Sequence, residues 1–508
     1  MFGLAVNLIA NLLGKAWGIV VTLVTVPYYV QLLGREGYGL VTVLNSFAML
    51  QTILDTGLGV ELGRRVARSI QNREQNAQEL GEFIHTMGIL YWLLACGVFT
   101  IFAIASPWLA QHLVQREALS LDAISQTFMW MGAWLALQWP IALWNQILIN
   151  AERQAIQNAI ASANALLRAS MAIAGLYWIE ASPKVFACMY AMSSVAHWMA
   201  LRFFGRRVLP PLSPLPRFRF DLLKASRNRS IGAFALNSLF LVTSSIDRVL
   251  LASLIPLGDL GLYGFAQTIA SNLSHVISPV FTAYLPRFHR SVGAELTETR
   301  SVYIQAMRTM FTMVVPASCA LITFAQPFIF GWTGNGELAR DATPIVRILA
   351  IGQSFSLTPT LFAAFAYASG FFRPLLISTS IAIIAGIAWF SVSHFTHSLT
   401  VVAMGWPLMQ LINALLPSTP FLKRFVGQGV SRILIKDLIV LLIPTALICL
   451  AINPISFPGR VGALIKAALG LVGAFLGTAL GVALQPWGRK WIALVRKRIS
   501  QRFSSHRT

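Results

Sequence analysis

Residues 2–30, FGLAVNLIANLLGKAWGIVVTLVTVPYYV, are apolar almost throughout and carry a single lysine, Lys15, near their middle. Such a run exceeds the apolar core of a signal peptide, lacks a small-residue cleavage site, and suffices to cross a bilayer core about 30 Å thick as a helix. The pattern recurs along the chain. Apolar windows of about 20 residues predict further spans near 37–62, 84–106, 123–149, 154–178, 184–205, 231–254, 260–285, 306–330, 342–368, 374–394, 399–421, 434–452 and 461–484. The expected fold class is therefore all-α: a polytopic membrane protein of about 14 transmembrane helices. Composition agrees, because a chain of 508 residues that is 56% hydrophobic and only 11% charged cannot be a soluble enzyme, whose charged fraction lies near one quarter.

The net charge of +21 would suggest nucleic acid in a soluble protein. Here it is loop charge that sets topology. Connections after even-numbered spans collect most of the basic residues, among them Arg64, Arg65, Arg206, Arg207, Lys423 and Arg424, as does the C-terminal tail with Arg496, Lys497 and Arg498. The opposite side holds Arg35, Arg116, Lys184, Arg340 and Arg460. Both termini are expected in the cytoplasm, and no nucleic-acid partner is expected. Cys96, Cys188, Cys319 and Cys449 sit in apolar runs without metal-ligand spacing, so they read as buried small hydrophobes, with no metal site and no cofactor.

A basic, Pro-rich segment at 206–229, with Pro210, Pro211, Pro214 and Pro216, falls midway through the first twelve spans and reads as a stiff linker. It predicts an N-terminal six-helix bundle over 1–205 and a second over 230–422. Two additional helices at 423–485 and a basic amphipathic tail at 486–508 complete the chain, the tail lying on the anionic inner leaflet. A weak repeat supports the halving: Leu33-Gly34-Arg35-Glu36-Gly37 after span one matches Leu257-Gly258-Asp259-Leu260-Gly261 after span seven at Leu, Gly and Gly. Six spans per half make the repeats parallel.

The stretch Pro27-Tyr28-Tyr29-Val30-Gln31-Leu32-Leu33-Gly34-Arg35-Glu36-Gly37-Tyr38-Gly39-Leu40, with Asp55-Thr56-Gly57-Leu58-Gly59, resembles the first helical hairpin of the polysaccharide-type lipid-linked oligosaccharide flippases. These belong to the multidrug/oligosaccharidyl-lipid/polysaccharide exporter superfamily. Asp247-Arg248-Val249-Leu250-Leu251, Gly261-Leu262-Tyr263-Gly264, Ser278-Pro279-Val280 and Leu285-Pro286-Arg287 resemble its seventh and eighth helices. The resemblance covers roughly residues 3–422. It implies a non-enzymatic transporter in the bacterial inner membrane that moves an undecaprenyl-diphosphate-linked glycan between leaflets by alternating access. H⁺ or Na⁺ coupling, and a polysaccharide polymerase and glycosyltransferases as partners, are implied with it. Lipid II flippases and cation-coupled drug exporters share the architecture. A membrane glycan polymerase or glycosyltransferase would need an extracytoplasmic site, and the predicted outer connections are short, without paired carboxylates.

Ionisable residues inside spans face a cavity or a partner, because the hydrocarbon core penalises each by about 2.5–3.5 kcal/mol or more. Asn7, Asn11, Lys15, Gly18 and Thr22 form one polar stripe on span one, which fits either a wet interior or interhelical hydrogen bonds with Lys15 snorkelling. Arg168, about 21 Å along span five, shares a face with Gln157 and Asn164. Span seven carries Arg248 on a stripe with Asn237 and Ser244, and Asp247 on the next, which predicts different partners for the two charges. Arg347 lies near the outer end of span ten, within reach of headgroups. Lys15, Arg168, Arg248 and Arg347 are thus the candidate substrate-binding cations, since guanidinium forks match phosphate oxygens; pairing of the arginines for packing alone is the competing role. Asp247 and Asp55 are the candidate coupling acids, whereas Glu61 pairs with Arg64 or Arg65 on its own helix and is structural. His85, His197 and His275 have suitable chemistry for coupling, but lone membrane histidines more often serve packing.

Overall fold

A computed structural model describes residues 2–55, 62, 65–66, 77–209, 218–219, 238–239, 241–243, 245–291, 296–489 and 493. The described chain is helical, with no strand among the described residues. Nine segments among them are long and apolar enough to cross a membrane, so this is a multi-pass membrane protein; the predicted total of 14 goes beyond those nine.

Helix α1 (Phe2–Asp55) contains both of the first two predicted spans as far as Asp55 and breaks at Gly34, whose φ of 69° only glycine adopts without strain. The helices that follow are α2 (Ala77–His112), α3 (Leu121–Asn150), α4 (Gln154–Trp178), α5 (Pro183–Val208), α6 (Ile246–Leu254) and α7 (Leu257–Ser271). Their ends obey local chemistry: the Ser120 hydroxyl caps α3 by accepting from the Ala123 N–H at 3.2 Å, and Pro183 opens α5, where its missing N–H costs nothing. The second series runs α8 (Leu273–Ser291), α9 (Leu296–Thr333), α10 (Gly336–Phe355), α11 (Leu357–Ser369), α12 (Arg373–Ser393), α13 (Gly405–Leu415), α14 (Val430–Ile452) and α15 (Gly459–Leu484). Two predicted spans are each built from two helices: α7 and α8 meet at a turn at Asn272, and α10 and α11 at Ser356. Most of the predicted linker, including Pro210–Pro216, lies outside the described residues. So does the tail beyond Arg489, apart from residue 493.

The chain forms two compact units, Met1–Gly264 and Phe265–Thr508. In the first, α2 and α5 both pack along α3, while α1 and α5 pack along α4. Trp139, Tyr91, Phe83, Phe128 and Phe186 fill the interior. Helix α6 and the start of α7 belong to this unit because the two copies of the repeated motif meet there. Gly39 lies against the Leu257 carbonyl and Gly261 against the Arg35 carbonyl, so closely that a Cβ at either position would strike backbone. The Glu36 carboxylate, in the first copy, accepts from the backbone N–H groups of Glu117 (2.8 Å), Ala118 (3.0 Å) and Leu119. The same loop pairs Gln115 with α6 and α7: the Leu257 N–H donates to the Gln115 carbonyl at 2.9 Å, and Gln115 Nε2 donates to the Ser253 carbonyl at 2.9 Å.

In the second unit α9 is the central element, contacted by α8, α10, α14 and α15. Tyr303, Phe288, Phe324, Phe362 and Phe365 form its aromatic interior. The α15 face bearing Gly470 and Gly477 presses on Phe324 and on Thr445, where the Thr445 and Thr478 hydroxyls bond at 2.9 Å. Outward faces reverse the soluble pattern, with Ile104 76% exposed and Leu447 61% exposed, as lipid-facing side chains should be. The cysteines divide: Cys449 is buried, Cys188 and Cys319 are half-buried, and Cys96 is exposed on an apolar flank rather than buried as expected.

Candidate functional site

Arginines occur within apolar helices in distinct settings. The first is built on α4. Arg168 is half-buried, and its guanidinium lies over the Tyr190 ring of α5, 4.9 Å from the centroid. Tyr190 in turn packs on Phe186 at 4.3 Å, and Phe186 meets the edge of Tyr29, from α1, at 4.9 Å. A guanidinium keeps its charge on an aromatic face and loses part of its hydration there, which leaves its N–H fork available to an anion. Arg168 makes no ion pair among the described residues. One turn earlier, Asn164 Oδ1 is buried without a hydrogen-bond partner among the described residues.

The second setting is at the start of α6. Asp247 is 0% exposed and accepts a 2.7 Å hydrogen bond on Oδ2 from the hydroxyl of Tyr263, itself fully buried on α7. Its Oδ1 faces Arg248 Nε at 3.8 Å, an ion pair outside hydrogen-bond reach, while Arg248 Nη2 donates to the Ser245 hydroxyl at 3.0 Å. The short contacts differ, Tyr263 for Asp247 and Ser245 for Arg248, but the two charges also form an ion pair with each other, against the expectation of wholly separate partners. Tyr263 was legible only as part of a motif, because its link to Asp247 crosses between helices.

The third setting, in the second unit, was not anticipated. Arg308 Nε of α9 donates to Asp437 Oδ2 of α14 at 2.7 Å, and its guanidinium also lies 4.9 Å from the Trp487 ring centroid. The Asp437 carbonyl accepts from Gln485 Nε2 at 3.0 Å, so this pair fastens the two additional helices to α9. Asp437 is the one acid in α14, directly after Lys436, and that was the available signal.

Arg347 is exposed, and its Nε donates to the Ile322 carbonyl at 2.9 Å, beside the break that α9 makes at Phe324 (φ −106°, ψ 20°). Part of its fork is therefore spent on a backbone acceptor that a helix break leaves open. Lys15 and Asp55 lie in α1, but their side chains are outside the described residues. Glu61 and Arg64 are outside as well; Arg65 pairs with Glu79 at 2.6 Å. Arg168 rests on Tyr190 of α5, whereas Arg248 meets Ser245 and Asp247. No group of three or more His, Cys, Asp or Glu side chains arranged for a metal occurs among the described residues.

The fold is shared with solved membrane transporters. The chain matches "Lipid II flippase MurJ, inward closed conformation" with a TM-score of 0.68 at 14% identity, covering 93% of this chain and 98% of that one. It matches an inward-facing multidrug resistance MATE family transporter of the MOP superfamily with a TM-score of 0.65 at 16% identity, covering 82% and 95%. The MATE multidrug transporter DinF-BH is also similar, with a TM-score of 0.57 at 14% identity, covering 84% and 96%. No curated protein matched the sequence. Residues 4–292 match the model of the family described as "Polysaccharide biosynthesis protein", and the chain belongs to that family.

Proposed function

We propose that the protein is a flippase that carries an undecaprenyl-diphosphate-linked oligosaccharide from the inner to the outer leaflet of a bacterial inner membrane. In this reading two six-helix bundles, 1–205 and 230–422, alternate access to a cationic site, and both termini are cytoplasmic. The observation that carries the reading is Arg168, a guanidinium held within an apolar helix on an aromatic face without a carboxylate partner among the described residues. Such a cation suits a diphosphate, which supplies the charge and acceptors that the membrane does not. Arg248 and Lys15 assist it, and Arg347 contributes through the nitrogens that Ile322 leaves over.

Coupling is assigned to Asp247, with Asp55 as the second acid. Asp247 and the substrate phosphate compete for Arg248, so proton or Na⁺ occupancy of the carboxylate would release the arginine to the substrate. Polymerase and glycosyltransferase partners would act before and after translocation. A deletion strain tests the function: a lipid-linked oligosaccharide should accumulate in the inner leaflet, with a mass that identifies the glycan. Normal outer-leaflet delivery in that strain would refute the assignment. For coupling, Asp247→Asn should lose gradient-dependent flipping in proteoliposomes, and retention of it would make Asp247 a structural partner of Tyr263.

A further inference from the structure

Away from Arg168 and Asp247, the first unit contains a groove of about 470 Å³ with Pro140, Leu143 and Trp144 of α3 as its floor. Helices α2 and α5 both pack along α3 and form the walls: Gly81 to Cys96 on one side, Trp198 to Arg206 on the other. Its lining is apolar and aromatic except at one end, where Arg202, Arg206 and His85 gather and no carboxylate among the described residues lines the wall. Arg202 is seated on the Trp198 ring, 5.1 Å from the centroid, and Trp198 packs edge-on with Trp92 at 5.4 Å. The flank is continuous with exposed apolar surface, Trp92, Leu93, Met199 and Phe203. A cationic mouth on an apolar slot is the complement of an anionic amphiphile.

We propose that this groove binds an anionic glycerophospholipid, its phosphate between Arg202 and Arg206 and one acyl chain over Pro140 and Leu143. Length favours that occupant over a polyprenyl carrier. The lining from Gly81 to Cys96 extends about 22 Å at 1.5 Å per residue, which accommodates an acyl chain that crosses one leaflet of about 15 Å but not a polyprenyl chain several times longer. The end bearing the arginines is the one that loop charge assigns to the cytoplasmic leaflet. The inference does not depend on the transported substrate.

Native mass spectrometry of the detergent-solubilised full chain, with phosphatidylglycerol and phosphatidylcholine as probes, tests it. Wild-type protein should retain phosphatidylglycerol in preference to phosphatidylcholine. An R202A/R206A double variant should lose about tenfold of that retention, as expected for removal of charge-assisted hydrogen bonds. Gly88→Leu is the second variant: a Cβ there meets only Leu143 Cδ2, at 3.8 Å, so the side chain fills the groove without striking backbone and should displace the lipid in a folded protein. Equal retention of both lipids by all forms overturns the proposal. So does displacement of phosphatidylglycerol by undecaprenyl diphosphate at equimolar concentration, which would assign the groove to the carrier.

Discussion

Arg168 and Arg308 pose the same physical problem and receive opposite solutions. Both are guanidinium groups within apolar helices, and both lie 4.9 Å from an aromatic ring centroid. Arg308 also has a carboxylate at 2.7 Å, supplied by Asp437 on a helix far along the chain, whereas Arg168 has none among the described residues. A charge neutralised by a neighbour is finished as structure; a charge left on a π face still has its N–H fork to offer. Arg248 stands between them, with a carboxylate at 3.8 Å that a tyrosine hydroxyl holds from the other side. What separates these arginines is therefore the partner and its distance, and residue type is silent about it.

The largest effect should come from breaking the finished pair. Asp437→Ala leaves the Arg308 charge half-buried and unpaired, which should cost roughly 3–5 kcal/mol and lower the unfolding temperature in detergent by many degrees. An R308M/D437L double variant should recover most of that loss, because an apolar pair replaces two desolvated charges. If Asp437→Ala is as stable as wild type while transport fails, Arg308 belongs with Arg168.

Next comes the intermediate case. Tyr263→Phe removes the 2.7 Å donor to the fully buried Asp247 carboxylate and should destabilise the protein by about 1–3 kcal/mol, read as a shift in thermal unfolding. No shift would show that Arg248 alone satisfies Asp247.

Much of this architecture was legible in the sequence. Apolar length located the helices, and the repeated Leu-Gly…Gly motif marked a turn that the structure builds from Gly39, Gly261 and the Glu36 carboxylate. Arg168, Asp247 and Arg248 announced themselves because an ionisable residue in a hydrocarbon-length run needs an explanation. What stayed hidden was pairing. Arg308 and Asp437 meet through tertiary packing of α9 on α14, and neither helix carries a local pattern that names the other. The same holds for Tyr263 and for Arg347, whose partner is a carbonyl beside a helix break that periodicity does not reveal. The Asn272 turn was missed for a similar reason, since the apolar composition runs through it unchanged.

A substitution that keeps charge and changes shape sharpens the functional side. Arg168→Lys retains the cation but loses the planar fork and its stacking, so transport should fall roughly tenfold, about 1.4 kcal/mol, with thermal stability little changed. Equal loss of stability and transport would place Arg168 with Arg308 as a packing residue.

The smallest effect separates the ring from its hydroxyl. If the π face of Tyr190 is what holds Arg168 ready for an anion, Tyr190→Phe preserves the seat, whereas Tyr190→Leu removes it along with about 0.5–2 kcal/mol of cation–π attraction. Transport by the leucine variant should then drop several-fold, and the phenylalanine variant should remain close to wild type. Phenylalanine removes the Tyr190 hydroxyl while keeping the ring that packs on Phe186, which in turn meets Tyr29 of α1. A phenylalanine variant as impaired as the leucine one would therefore shift the weight from the aromatic face to that hydroxyl. Arg168 would then be positioned through the packing of α1 on α5, and the contrast with Arg308 would rest on helix placement instead of on an unpaired charge.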